Sequence, residues 1–273
     1  MESLGELLKS RMTILESTGK TCTKHGKKVV QFIMVQGEEV CPLCERDAQN
    51  ELLAKEQLEQ YERAMSRRDY RTLATKSILK DTKLFDAKFG NYETADPEET
   101  ANKQKAINVF QKYRKGEVFN TWFTGMPGVG KSHLAMSILQ NLNEWGEQDK
   151  SCLFVSVDEM LLLIRNSFDN KESQYSEYYF VDLLSKVDYL VLDDLGAETG
   201  GTGTQKTASD FTLRILYAIS NARQGKSTIV TTNLSKRELT KMYDAKLVSR
   251  LQGSIALINF KETSDKRIKQ IEV

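Results

Sequence analysis

Residues 125–132 read GMPGVGKS, a complete G-x-x-x-x-G-K-S. They stand between VFNTWFT, which predicts a strand, and SHLAMSILQNLNEW, which predicts a helix. No other feature narrows the fold as far. In this setting the glycines let successive backbone N–H groups turn onto a phosphate, and the helix adds the positive end of its dipole. Lys131 is expected to reach the outer phosphates and Ser132 to ligate magnesium. Gly125, Pro127, Gly128, Val129, Gly130 and His133 complete the expected cofactor-binding segment.

A downstream partner supports this reading. YLVLDDLGAE, residues 189–198, is an apolar strand ending in two carboxylates, on the edge where such sheets bind ligands. Asp193 is expected to hold the magnesium shell and Asp194 to position or deprotonate the attacking water. Glycine turn and aspartates are expected to grip triphosphate and ion across neighbouring strands. STIVTTN, residues 227–233, predicts another buried strand, after which Asn233 either bonds the γ-phosphate or water, or caps the strand. In KLVSRLQGS, Arg250 sits on a short predicted helix, as a surface arginine or as a guanidinium that crosses a subunit boundary to stabilise transition-state charge. The candidate catalytic set is therefore Lys131, Asp193, Asp194, Asn233 and Arg250.

Strands alternating with helices of ten or more residues predict right-handed crossovers and a largely parallel sheet covered on both faces. The organisation expected is an N-terminal module over 1–46, a linker helix over 47–80 and an α/β P-loop domain over 81–273. The linker is proline-free and glycine-free, with Leu52, Leu53, Leu58, Tyr61, Met65 and Leu73 at near-helical spacing, and Ser66 is its one expected point of breakage. Hydrophobic residues at 40% and charged residues at 28% are ordinary for a helix-rich globular chain able to bury a core, so disorder is not the default. A net charge of +1 means that any nucleic-acid contact must come from a local patch. MESLGELLKSRM lacks a signal-peptide core, and no apolar run has the length of a membrane span, so a cytoplasmic location and no membrane partner are expected.

In a reducing compartment clustered cysteines suggest metal before disulfide. Cys22-x-x-His25 and Cys41-x-x-Cys44 flank the hairpin KKVVQFIMV–EEV, with its turn at Gln36-Gly37. They supply four ligands for tetrahedral zinc, which substitutes for the core that so small a unit lacks. Cys152, alone in SCLFVSV, reads as a buried strand residue. Lys20, Lys24, Lys27 and Lys28 leave open a nucleic-acid-binding role for this module.

GMPGVGKSHLA, LVLDDLGAE, IVTTNLS and the SRL triplet together resemble the DnaC/DnaI-type replicative helicase loaders of the AAA+ class, over about residues 80–260. The same core is similar to transposon helper ATPases and, more distantly, to replication initiators. The resemblance implies a three-layer AAA+ sandwich with a reduced or absent lid and magnesium-dependent ATP hydrolysis. It also implies ATP-dependent self-oligomerisation into an open spiral, docking of the zinc module and linker on a hexameric replicative helicase, and binding of single-stranded DNA. Asn233 becomes the sensor and Arg250 the trans-acting finger, with Lys246 where an additional arginine is usual and Lys266 or Arg267 as a second sensor. Asn166 to Phe180 resembles the extra helical insertion of loaders and initiators. There Lys171, Tyr175, Tyr178 and Tyr179 either contact the strand or pack the helix, and Lys206 in the glycine-rich GAETGGTGTQK is a further candidate contact. A transposition helper acting on target DNA and a non-hydrolysing nucleotide-binding adaptor are the alternatives.

Overall fold

The computed structural model describes residues 17–26, 28–35, 37–145, 150–170, 172–200 and 207–267. Lys27, Lys171 and Lys206 lie outside these residues. The chain divides into two compact units, Met1–Met65 and Ser66–Val273.

In the first unit β2 (Val30–Val35) and β3 (Glu38–Val40) form the expected hairpin, and β1 (Ser17–Cys22) adds a third antiparallel strand beside β2. Strand β1 is not foreseen from sequence, because STGKTC carries no apolar alternation. Helix α1 (Pro42–Lys76) begins with proline, whose fixed φ suits a first turn, and continues through Ser66 without a break. Its apolar residues Leu52, Leu53, Leu58 and Tyr61 are exposed, whereas Leu73 near its end is buried in the core of the second unit.

The second unit is built on five parallel strands, in the order β5-β6-β7-β4-β8. They are β4 (Asn120–Gly125), β5 (Cys152–Ser156), β6 (Tyr189–Asp193), β7 (Thr228–Thr232) and β8 (Ile255–Phe260). Alternate strand residues face opposite ways. Trp122, Leu190, Leu192 and Val230 pack against helices α4 (Val157–Ser167), α5 (Glu177–Lys186), α6 (Asp210–Ala222), α7 (Lys236–Met242) and α8 (Ala245–Gln252). Phe123, Tyr189, Val191 and Ile229 pack against α2 (Pro97–Arg114) and α3 (Lys131–Trp145). The result is the expected three-layer sandwich with both faces of the sheet covered.

Two features differ from expectation. The alternation read from sequence stops at β7, and β8 extends the sheet by pairing with β4. The glycine-turn strand β4 and the aspartate strand β6 are not neighbours, because β7 lies between them. Both ends of the grip are thereby brought within reach of residues at the end of β7. Among the described residues no helix is long and apolar enough to cross a membrane.

Candidate nucleotide site

The C-terminal ends of the strands converge on one cleft. β4 ends at Gly125, the loop turns through Gly128 and Gly130, and α3 starts at Lys131 with Leu134 N donating to Gly130 O at 3.1 Å. Gly130 has φ +92°, and a Cβ there would lie 2.4 Å from the Tyr92 ring, so handedness and space both demand glycine. Tyr92, buried, donates its hydroxyl to Val129 O at 3.0 Å and stands edge-on to His133 with ring centroids 5.4 Å apart. A tyrosine 37 residues upstream thus braces the loop.

Lys131 uses all three ammonium protons, on Gly125 O (2.8 Å), Met126 O (2.7 Å) and Asn233 Oδ1 (2.7 Å). Burial pushes this lysine down to about 8, with the charge of Arg267 adding to the effect and Asp194 and Asp193 opposing it. Asn233 in turn donates through Nδ2 to Asp194 Oδ1 at 2.8 Å, which links all three expected residues. Thr231, the partner absent from the sequence reading, donates its hydroxyl to Asp193 Oδ1 at 2.7 Å and accepts from the Asp194 N–H at 2.8 Å. Burial raises the Asp193 carboxyl, against hydrogen bonds from Ser132 and Thr231. Asp194 has φ +57°, the one positive φ among described non-glycine residues, a conformation aspartate tolerates better than most. These groups line a cavity of about 330 Å³, together with Pro127, Gly128, His133 and Lys80.

The segment after β8 closes over the loop. The Glu98 carboxylate accepts from the N–H groups of Lys261, Glu262 and Thr263, each at 2.9 Å, and from the Thr263 hydroxyl at 2.7 Å. Burial would raise its pKa, but these bonds hold it down to about 2. Lys266 N donates to Gly128 O at 3.1 Å, and its ammonium pairs with buried Glu99 at 3.0 Å above the Tyr92 ring. Lys266 is therefore committed to Glu99, while Arg267 lines the cavity.

A loop of this handedness, a lysine at its exit and two carboxylates across the cleft suit a phosphate-bearing ligand, and the sequence profile of IstB-like ATP binding proteins matches residues 38–256. The chain belongs to that family. This IstB-like chain is 28% identical over 169 residues to the replicative helicase loader DnaC of Escherichia coli (strain K12), covering 60% of itself and 62% of that protein. It thus spans about three fifths of the curated relatives it matches. Its fold is similar to the crystal structure of the DnaC helicase loader, at TM-score 0.54 and 22% identity over 66% of this chain and 100% of the other. It is also similar to AMPPCP-bound DnaA from Aquifex aeolicus, at TM-score 0.51 and 19% identity over 68% and 53%.

In this IstB-like fold Arg250 is remote from the chain's own glycine turn. It lies in the last turn of α8, stacked over Tyr217 at 5.4 Å, and lines a separate cavity of about 450 Å³ with Asn120, Thr228 and Ser254. Asn120 and Thr228 begin their strands, so this cavity is at the other end of the sheet. The expected tyrosines divide. Tyr175 and Tyr179 pack with Phe180, at centroid distances of 5.9 and 5.2 Å, whereas Tyr178 is 79% exposed. An aromatic and basic patch not foreseen from sequence lies on α4 and α6. Exposed Phe168 meets Phe211 edge-on at 5.7 Å, and the guanidiniums of Arg165 and Arg214 stand 5.3 and 6.0 Å from the Phe211 centroid.

In the first unit of the IstB-like chain the donor atoms of Cys22, His25, Cys41 and Cys44 lie within 4.8 Å of one another. Cys22 Sγ is 3.7 Å from Cys44 Sγ, and His25 Nε2 is 3.2 and 3.3 Å from Cys44 and Cys41 Sγ. Tetrahedral ligands at zinc bond lengths are separated by about 3.5–3.8 Å; the Cys22–Cys44 spacing falls in that range and the two His25 spacings are slightly shorter, so the set is compatible with a closed zinc site. Cys152 stands apart, fully buried in β5, where burial pushes its thiol up.

Proposed function

We propose that the chain is an ATP-hydrolysing replicative helicase loader, acting as an oligomer on a hexameric helicase and single-stranded DNA. The observation that carries this reading is the Lys131–Asn233–Asp194 relay in a cleft braced by Tyr92. The 28% identity to the loader DnaC supports the role.

The glycine turn binds the phosphates through its N–H groups, and Lys131, keeping its protons, redirects its N–H donors from the loop carbonyls to phosphate oxygens. Ser132 and Asp193 fit a magnesium ion, Asp193 being oriented by Thr231. Magnesium, when bound, neutralises charge on the outer phosphate oxygens. Asp194 orients the attacking water and receives its proton, and Asn233 holds Asp194 against the γ-phosphate position. Arg250 acts on the triphosphate of a neighbouring copy, because its own lies beyond the opposite end of the sheet. Arg267, facing the cavity, is the second sensor.

Tyr178 and the Phe168–Arg165–Phe211–Arg214 patch are the surfaces suited to stacking and pairing with a single strand. The module over 1–46 and the linker over 47–80 dock on the helicase, for which exposed Leu52, Leu53, Leu58 and Tyr61 supply apolar contacts, and residues 81–273 form the ATPase domain. ATP turnover with and without single-stranded DNA, repeated for Lys131→Ala, tests the enzyme. Turnover unchanged by the substitution would remove the reading. Retention of a replicative helicase by the intact chain, lost on Cys41→Ser, tests the role. The IstB-like profile favours a second reading, a transposition helper, for which the retained protein would be a transposase.

A further inference from the structure

The segment between α1 and the phosphate cavity has two attachments. Ile78 forms a one-residue parallel bridge to Val155, its N–H donating to Phe154 O at 2.8 Å and its carbonyl accepting from Ser156 N at 2.8 Å. Ser77 Oγ accepts from Phe154 N at 3.0 Å, so the chain leaving α1 is stitched along the free edge of β5. Two residues after this bridge, Lys80 pairs with Asp158 in the first turn of α4. Lys80 also lines the cavity that holds Lys131, Asp193 and Asp194.

Such an ammonium is poised to move. Burial works to lower its pKa, yet the bond and charge of Asp158, with Asp194 and Glu159 behind, raise it, so it carries full charge. Its side chain is 45% exposed, and a lysine–carboxylate pair in that setting is weakly held. Asp158 has a second partner, Ser156 Oγ at 2.7 Å, and keeps a hydrogen bond when the lysine leaves. A triphosphate brings more negative charge than one carboxylate, and brings it into the same cavity.

We propose that Lys80 is a phosphate-reading residue: with ATP bound it leaves Asp158 for the terminal phosphate, and the Ile78 bridge carries that exchange to the end of α1. The inference rests on the nucleotide reading of the cavity. Because ADP lacks the terminal phosphate, Lys80 discriminates between the two nucleotides, whereas Lys131 also holds the loop that both would occupy.

The test is equilibrium binding of fluorescent ATP and ADP analogues to the full chain, with amide exchange followed at Ile78. Lys80→Met should weaken ATP about tenfold and leave ADP nearly unchanged, the loss of one charge-assisted hydrogen bond. Lys80→Arg should restore the preference. Asp158→Asn, which frees the lysine, should shift ATP affinity the opposite way, and serves should Lys80→Met fail to fold. Ile78 exchange should differ between ATP and ADP in the wild type and not in Lys80→Met. Equal effects on both nucleotides, or none, would overturn the inference while nucleotide binding itself stood. A wild-type chain that bound neither, or a Lys131→Ala variant that bound both normally, would sink the nucleotide reading and Lys80 with it.

Discussion

Asn233 holds Lys131 through its carbonyl, at 2.7 Å, and Asp194 through its amide, at 2.8 Å. One planar side chain at the end of the central strand β7 therefore joins the lysine proposed to bind phosphate to the carboxylate proposed to handle water. The relay has a direction that can be probed.

Asn233→Ala should lower kcat by about 10²-fold while changing nucleotide affinity little, since the amide positions Asp194 in the transition state. Steady-state hydrolysis beside equilibrium ATP binding separates the two. A rise in KM with kcat intact would assign Asn233 to ground-state binding instead.

Lys131 titrates near 8 in the free protein, so its charge is present below that pH and lost above it. ATP affinity should be flat to about pH 7.5 and then fall, by up to about tenfold per pH unit, as the ammonium must be regained on binding. Lys131→Arg, if it binds, should shift the fall out of range. Affinity measured from pH 6.5 to 9.5 reads this directly.

Arg250→Ala should retain ATP binding and lose about 10³-fold in turnover. Mixed with Asp194→Asn, itself inactive, it should recover part of the activity, because mixed interfaces then pair an intact Arg250 with an intact Asp194. Absence of recovery over a range of protein concentrations would place Arg250 outside catalysis.

The cysteine and histidine set should carry about one zinc per chain. Chelation or Cys41→Ser should expose the first unit to proteolysis and leave ATP binding intact. Elemental analysis of fresh protein and limited digestion check the two halves.

Glu98 makes the acid limb of stability steeper. Its folded pKa, about 2, is below the ordinary 4.5, so the contribution is complete above pH 4.5 and is lost as pH falls through about 2. Glu98→Gln should cost about 1 kcal/mol at neutral pH, discounted for solvent screening, and flatten that limb. Denaturant titrations at pH 7 and pH 3 give both figures.

What was readable beforehand follows from how local each signal is. GMPGVGKS, Asp193-Asp194 and the two cysteine pairs are short contiguous patterns whose residue types suit the proposed chemistry, so each could be named directly. Thr231 resembles any strand threonine, and Tyr92 is 37 residues from the carbonyl it braces. Glu98 meets its backbone partners 163–165 residues later, so only tertiary closure brings them together. The tyrosines show the opposite problem. Sequence cannot tell a ring that stacks on a ligand from one that packs on Phe180, and two of the three pack.

The left-handed backbone at Asp194 restricts how its chemistry can be dissected. Alanine there would remove a carboxylate and penalise the turn in one step, and glutamate would keep the charge on a backbone it dislikes. Asparagine alone keeps the shape and the tolerance for that geometry while discarding the negative charge. A clean substrate-trapping variant of this protein therefore has a single spelling.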